Sequence, residues 1–356
     1  MPLTVAVILC GGAGSRLWPR SRQRQPKHLL PLSGSGKPLL RDTYERISPL
    51  VDEVWVVTED RQAAMIRAVL PELADGQVVV EPAARGTTNA LGLAALALIE
   101  RDPDALMMSL PADHVVRGVA AYRRAVRSAL SVAAVADELV TVGLRPDRPA
   151  TGFGYIKTGE PARAGGHLAF RVERFIEKPD SATATGFLKE GGYYWNLAMF
   201  AWPVSAFWRE LEQHGPGHAR GLKRVVQARD RGDAASAAAI YRRLPQQAVD
   251  YTVMERTSRL LLVPAAFEWL DVGSWAELLS LLRPGPDRNV LEGETVVIDT
   301  RGSFISSEGR LVAAIGLEDM LVIETADAVL VAPRSRAQDV KRVVETLRRT
   351  SRTQYL

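Results

Sequence analysis

The chain has 356 residues, 47% of them hydrophobic, enough for a large core and a smaller second unit. Its 45 Lys and Arg against 41 Asp and Glu leave a charge of only +4, with no basic stripe interleaved with aromatics, which argues against nucleic acid as a partner. A single cysteine, Cys10, excludes an internal disulfide and a multi-cysteine metal site, and no apolar run approaches membrane-spanning length. The first nine residues lack a basic segment of the signal-peptide kind, so a cytoplasmic protein is expected.

Positions 5–9 (VAVIL) are apolar without a polar break, the pattern of a strand buried on both faces of a parallel sheet. A glycine-rich segment, CGGAGSRLWPRSRQRQPKHLL, leaves its carboxyl end, where open α/β sheets bind ligands. Gly11, Gly12 and Gly14 allow positive φ and close backbone approach, so N–H groups can converge on phosphate oxygens. Arg16 and Lys27 add cations suited to a polyphosphate. The segment matches neither G-x-x-x-x-G-K-[ST] nor G-x-G-x-x-G, so a P-loop and a dinucleotide fold of the dehydrogenase kind are both disfavoured.

A helix is expected over 38–47, a strand over 54–57, a helix over 61–70 and a strand over 78–80, ending at Glu81-Pro82. A helix follows to residue 100, with Thr87 or Thr88 as its cap. Strand 106–110 then leads into Pro-Ala-Asp113-His114, helix 119–136 into strand 139–144. This alternation predicts an α/β fold with a doubly wound, mostly parallel sheet. Residues 151–156 read as a hairpin, and Glu177-Lys178 ends a strand. Residues 204–244 read as a helical scaffold, in which Gly-Pro-Gly between His214 and His218 breaks any metal-binding pair. Asp250 is a candidate helix cap. The breaker cluster at 283–288 divides residues 1–283 from a small β unit at 289–356. That unit has strands at 294–299, 311–315, 320–325 and 328–331 and a helix at 337–349.

The loop G-G-x-G-x-R-L-W-P-x-S-R-x-x-x-P-K resembles that of sugar-nucleotide pyrophosphorylases, and its Leu-Trp-Pro variant resembles the mannose-1-phosphate guanylyltransferase branch. Arg20 stands where Leu is more often expected. The resemblance implies a Rossmann-like nucleotidyltransferase fold closed by a left-handed β-helix that often makes a dimer contact. It implies a triphosphate held by Gly11, Gly12, Gly14 and Ser15, with Arg16 facing the β and γ phosphates and Lys27 near the α-phosphate. Glu81, Arg85 and Thr87 lie in a segment similar to E-P-x-x-R-N-T-A-P-A and would meet guanine, although Gly86 replaces Asn there. P-A-D-H and W-x-D-V-G-S-W give Asp113 and Asp271 as carboxylates for Mg2+, with His114 structural. T-G-F-G-Y-I, E-K-P, W-N-L-A-M-F and V-D-Y-T-V-M-E resemble sugar-pocket motifs and imply Gly152, Glu177, Lys178, Asn196 and Asp250 as substrate contacts. Ala198 stands where the family has glycine.

The implied reaction is transfer of GMP from GTP to mannose 1-phosphate by a homodimer, giving GDP-mannose and pyrophosphate. Alternatives are another sugar 1-phosphate, such as a manno-heptose 1-phosphate, or a non-catalytic subunit that senses GDP-mannose. The sequence shows no cupin extension, so a second isomerase activity is not expected.

Overall fold

A computed structural model describes residues 2–12, 14–282 and 284–356. It has two compact units: residues up to Gly11, Tyr44–Ala112 and Val116–Glu268 form one, and Gly12–Thr43, Asp113–Val115 and Trp269–Leu356 the other. Arg283, at the expected breaker cluster, lies outside the described residues.

The chain opens by alternating strand and helix: β1 (Thr4–Cys10), α1 (Leu39–Ile47), β2 (Glu53–Glu59), α2 (Asp60–Val69), β3 (Val78–Glu81), α3 (Thr87–Arg101) and β4 (Leu106–Pro111). The unbroken apolar runs have their reason in burial, since Val5, Ala6, Val7 and Ile8 are all at 0% exposure. β1 pairs in parallel with β2 and β4, setting Val7 opposite Trp55 on one side and Ser109 on the other. There follow β5 (His114–Arg117), α4 (Val119–Ala136), β6 (Leu139–Leu144), β7 (Tyr155–Ala164), β8 (His167–Ile176), α5 (Ser181–Glu190) and β9 (Tyr193–Pro203). Helices α6 (Val204–His214), α7 (Pro216–Asp230) and α8 (Ala234–Arg242) lead to β10 (Leu260–Ala265) and β11 (Glu268–Asp271).

Nine strands of the first unit form one sheet in the order β3-β2-β1-β4-β9-β6-β10-β8-β7. β9 runs antiparallel to both β4 and β6, so the sheet is more mixed than expected. An antiparallel strand buried on both faces has the same apolar pattern as a parallel one, and β9 is buried along nearly its whole length. The hairpin read at 151–156 is displaced: β7 and β8 form it, turning at Gly165 and Gly166 with φ of 56° and 78°. The 204–244 scaffold is three helices, broken before Pro216 and at Asp233, whose carboxylate accepts from Ser236 N.

The second unit contains α9 (Trp275–Leu281), β12 (Val290–Glu292), β13 (Thr295–Ile298), β14 (Phe304–Ser306), β15 (Val312–Ile315), β16 (Met320–Thr325), β17 (Ala328–Pro333) and α10 (Val340–Arg349). Parallel pairings β12–β14–β16 and β13–β15 give it a β-helix-like form, closed by antiparallel β17. The amino-terminal loop belongs to this unit. Leu17, Trp18, Leu30 and Leu39 share a core with Trp275, Phe304, Leu321 and Val344. Trp275 Nε1 donates to the Trp18 carbonyl at 3.0 Å, and Trp18 Nε1 donates to that of Tyr355 at 2.8 Å. Arg20 has an explanation here: its guanidinium lies 5.7 Å from the Trp275 ring centroid and bonds Glu292 and Ser306.

Candidate active site

Asp113 sits between β4 and β5, and Asp271 ends β11, which pairs with β5 in a two-stranded ladder. That pairing brings together acids 158 positions apart in sequence (271 − 113). Ligand atoms of Asp113, His114 and Asp271 all lie within 4.8 Å of one another. His114, read as structural from sequence, therefore offers a third ligand atom, while its ring stands edge-on to Trp269 at 5.1 Å. Its place beside Asp113 was the available signal.

Lys27 reaches the same acids. Its Nζ is 2.7 Å from Asp113 Oδ2 and 3.4 Å from Asp271 Oδ1, and donates to the Val272 carbonyl at 2.9 Å. Burial pulls the Lys27 ammonium down, but the two carboxylates outweigh it and hold it above its ordinary value. Burial likewise pushes Asp113 up, and Lys27 with His114 and His28 brings it below the usual carboxylate range. His28 is buried beside this pair and pushed down to about 4, chiefly by that burial. Gly12 and Gly14 adopt φ of 77° and 66°. At Gly14 a Cβ would stand 2.8 Å from Lys27 Cβ, so only glycine admits both the backbone turn and the lysine stem. Gly11 is exposed, and Ser15 and Arg16 open the short turn Ser15–Leu17 with the Arg16 side chain in solvent.

The proposed sugar contacts gather in the first unit. Asn196 Nδ2 donates to Asp250 Oδ1 at 2.7 Å, and its Oδ1 accepts from Ala198 N at 2.9 Å. Asp250 does not act as a simple cap. Burial, then Glu177, pushes its carboxyl up to about 6. Glu177 Oε1 pairs with Lys178 Nζ at 3.0 Å, while among the described residues its buried Oε2 has no hydrogen-bond partner. Gly154 packs closely beside Glu177 and Asn196: a Cβ there would fall 2.3 Å from that Oε2 and 3.1 Å from Asn196 Cβ. Gly152 is open to solvent, and a Cβ added there would meet nothing within 4 Å.

The proposed base contacts also belong to the first unit. Glu81 is buried and accepts from the Tyr241 hydroxyl; burial raises it to about 7 against that bond. Arg85 Nε is buried without a partner among the described residues. The expected caps at Thr87 and Thr88 are not seen: Gly86 is the N-cap, and Thr87 Oγ1 instead accepts from Val249 N at 2.9 Å. Segment 245–255 thus ties three groups together, holding Thr87 through Val249, Asn196 through Asp250, and Glu177 through Glu255 Oε1, which accepts from Glu177 N at 2.9 Å. Glu255 and Tyr241 are not legible as site residues, because each acts through a partner far away in sequence, Glu177 N for Glu255 and the Glu81 carboxylate for Tyr241, and such pairings leave no local pattern.

A glycine turn after the first strand of an α/β sheet, with a lysine set between two acids, is the equipment of nucleotidyl transfer. The Nucleotidyl transferase family model matches residues 5–283, and the MannoseP isomerase/GMP-like beta-helix domain matches 293–347. Mannose-1-phosphate guanylyltransferases of Escherichia coli and Klebsiella pneumoniae are each 37% identical over 360 residues, covering 99% of this chain and 76% of the relative. A crystal structure described as mannose-1-phosphate geranyltransferase from Thermus thermophilus superposes with a TM-score of 0.82 at 36% identity, covering 97% of this chain and 99% of that one. The chain belongs to the nucleotidyl transferases and, among them, to the mannose-1-phosphate guanylyltransferase family.

Proposed function

We propose that this protein transfers GMP from GTP to α-D-mannose 1-phosphate, releasing pyrophosphate and GDP-mannose. The observation that carries this reading is the cluster of Lys27, Asp113, His114 and Asp271 beside a glycine turn. A sugar-phosphate oxygen forms the new bond to the α-phosphorus, the α–β P–O bond breaks, and pyrophosphate leaves with the electron pair. The attacking oxygen is already ionised near neutral pH, so no general base is required. The difficulty is bringing polyanions together, which positioned charge overcomes.

Arg16 and the turn at Gly11, Gly12, Gly14 and Ser15 hold the triphosphate, and Lys27 neutralises the α-phosphate. Asp113 and Asp271, with His114 within reach, fit a divalent cation, and Mg2+ suits the two carboxylates. When bound, the cation supplies Lewis-acid stabilisation of phosphate charge. Glu177, whose Oε2 has no partner among the described residues, and Asn196, fixed by Asp250, accept from and donate to sugar hydroxyls, while Lys178 meets the sugar phosphate. The backbone at Gly152 lines the same pocket. Glu81, Arg85 and Thr87 read the guanine. Residues 1–283 act as the catalytic domain, and 289–356 as a small domain in a cytoplasmic homodimer. Exposed Leu311, Ile315 and Val331 on that small domain support self-association.

A matrix of nucleoside triphosphates against hexose and heptose 1-phosphates, read by pyrophosphate release, tests the reading. GTP with mannose 1-phosphate should give the highest kcat/KM. Preference for another pair, or binding of GDP-mannose without turnover, would contradict it.

A further inference from the structure

We propose that the Lys27 ammonium and the divalent cation are alternative occupants of one carboxylate pair, so the metal enters as its complex with the triphosphate rather than by binding the protein first. The inference rests on the nucleotidyl-transfer reading and concerns how its metal arrives.

Lys27 Nζ has three donors and three acceptors: Asp113 Oδ2 at 2.7 Å, the Val272 carbonyl at 2.9 Å and Asp271 Oδ1 at 3.4 Å. The ammonium therefore stands where the two acids converge. A small divalent cation ligated by oxygen at about 2.1 Å needs that same convergence. Two cations so close repel strongly where water is scarce, and the Lys27 side chain is only 11% exposed.

Charge decides the order of events. Two carboxylates and one ammonium sum to −1, so the pair is nearly satisfied by Lys27 alone. Adding a divalent cation while the ammonium stays brings the cluster to +1, which is unfavourable unless an anion arrives too. Triphosphate oxygens supply that anion, and they give the displaced ammonium a new partner. Its stem runs along the face that Gly14 leaves bare: a Cβ there would stand 2.8, 3.1 and 3.2 Å from Lys27 Cβ, Cγ and Cδ, so the glycine keeps the path of the lysine open. A lysine lying along that turn exchanges carboxylate for phosphate by moving its ammonium end.

The test is Mn2+ binding to the purified full chain without nucleotide, followed by the electron paramagnetic resonance signal of the free ion. Lys27→Met should bind one Mn2+ about tenfold or more tightly than wild type, because the competing charge is gone. Arg24→Met removes an exposed charge three positions away and should stay within about twofold. Equal affinity in wild type and a folded Lys27→Met would overturn the proposal. Should Lys27→Met not fold, wild type alone decides. A tight one-to-one Mn2+ site without nucleotide overturns the proposal, and Mn2+ uptake by the protein at least about tenfold tighter with GTP, beyond what a GTP-only control chelates, supports it. Absence of turnover with every sugar phosphate, alongside the tenfold contrast, would overturn the guanylyltransferase reading and still support the competition.

Discussion

At Ala198 the backbone φ is +50°, in the left-handed region where a Cβ crowds the following carbonyl. The family has glycine at this point of the W-N-x-G-M-F motif, and the fold evidently keeps the glycine conformation with alanine in place. Ala198→Gly should therefore raise stability by about 1 kcal/mol despite the added freedom of the unfolded chain, as a thermal or urea melt would show. An unchanged or lowered midpoint would mean the strain is absorbed elsewhere. Asp250 gives a second prediction, and its sign follows from its direction. Its folded carboxyl lies at about 6 against an ordinary 3.8, so the folded state binds the extra proton between those values. Stability from this group is then present below pH 4 and is lost as pH rises through 6. Asp250→Asn keeps an acceptor for Asn196 Nδ2 and should flatten that slope, gaining on the order of 1–3 kcal/mol above pH 7. A pH series of urea melts with parallel slopes in both proteins would refute it.

Among the elements, segment 245–255 has the most consequences for the pocket. Glu255 fixes the main chain at Glu177, next to Lys178 with φ of +50°. Under the proposed function it is a positioning residue for the sugar-phosphate contacts. Glu255→Ala should raise KM for the sugar phosphate about tenfold with a smaller fall in kcat, and Glu255→Gln, which keeps an acceptor, should recover most of it. Loss of kcat and KM together in both variants would point to a general structural role instead. The strands and helices themselves were largely legible. The runs at 5–9, 54–57 and 106–110 became β1, β2 and β4 because full burial removes any need for alternation. β9 hid its antiparallel direction for the same reason. Thr87 misled as a cap because its hydroxyl is taken by Val249, a partner 162 positions away that no local pattern announces.

For the molecule as a whole, the order of motifs along the chain carried the family resemblance, but the grouping into units needed three dimensions. Composition places a break at 283–288, whereas Leu17, Trp18 and Leu30 complete a core with Trp275 and Phe304. The glycine turn thus shares a unit with the β-helix-like strands, although it is next to β1 in sequence. The acids at 113 and 271 were singled out by motif, and their meeting is a consequence of the β5–β11 ladder. His114 reads as structural in the sequence because a histidine after an aspartate is more often a loop support than a ligand. The account depends above all on those two acids acting as one charged centre for phosphate transfer. Pyrophosphate release from GTP and mannose 1-phosphate, compared between wild type, Asp113→Asn and Asp271→Asn, tests it most directly. The account predicts that each variant loses about a hundredfold or more in kcat while remaining folded. Near wild-type rates in both would contradict it.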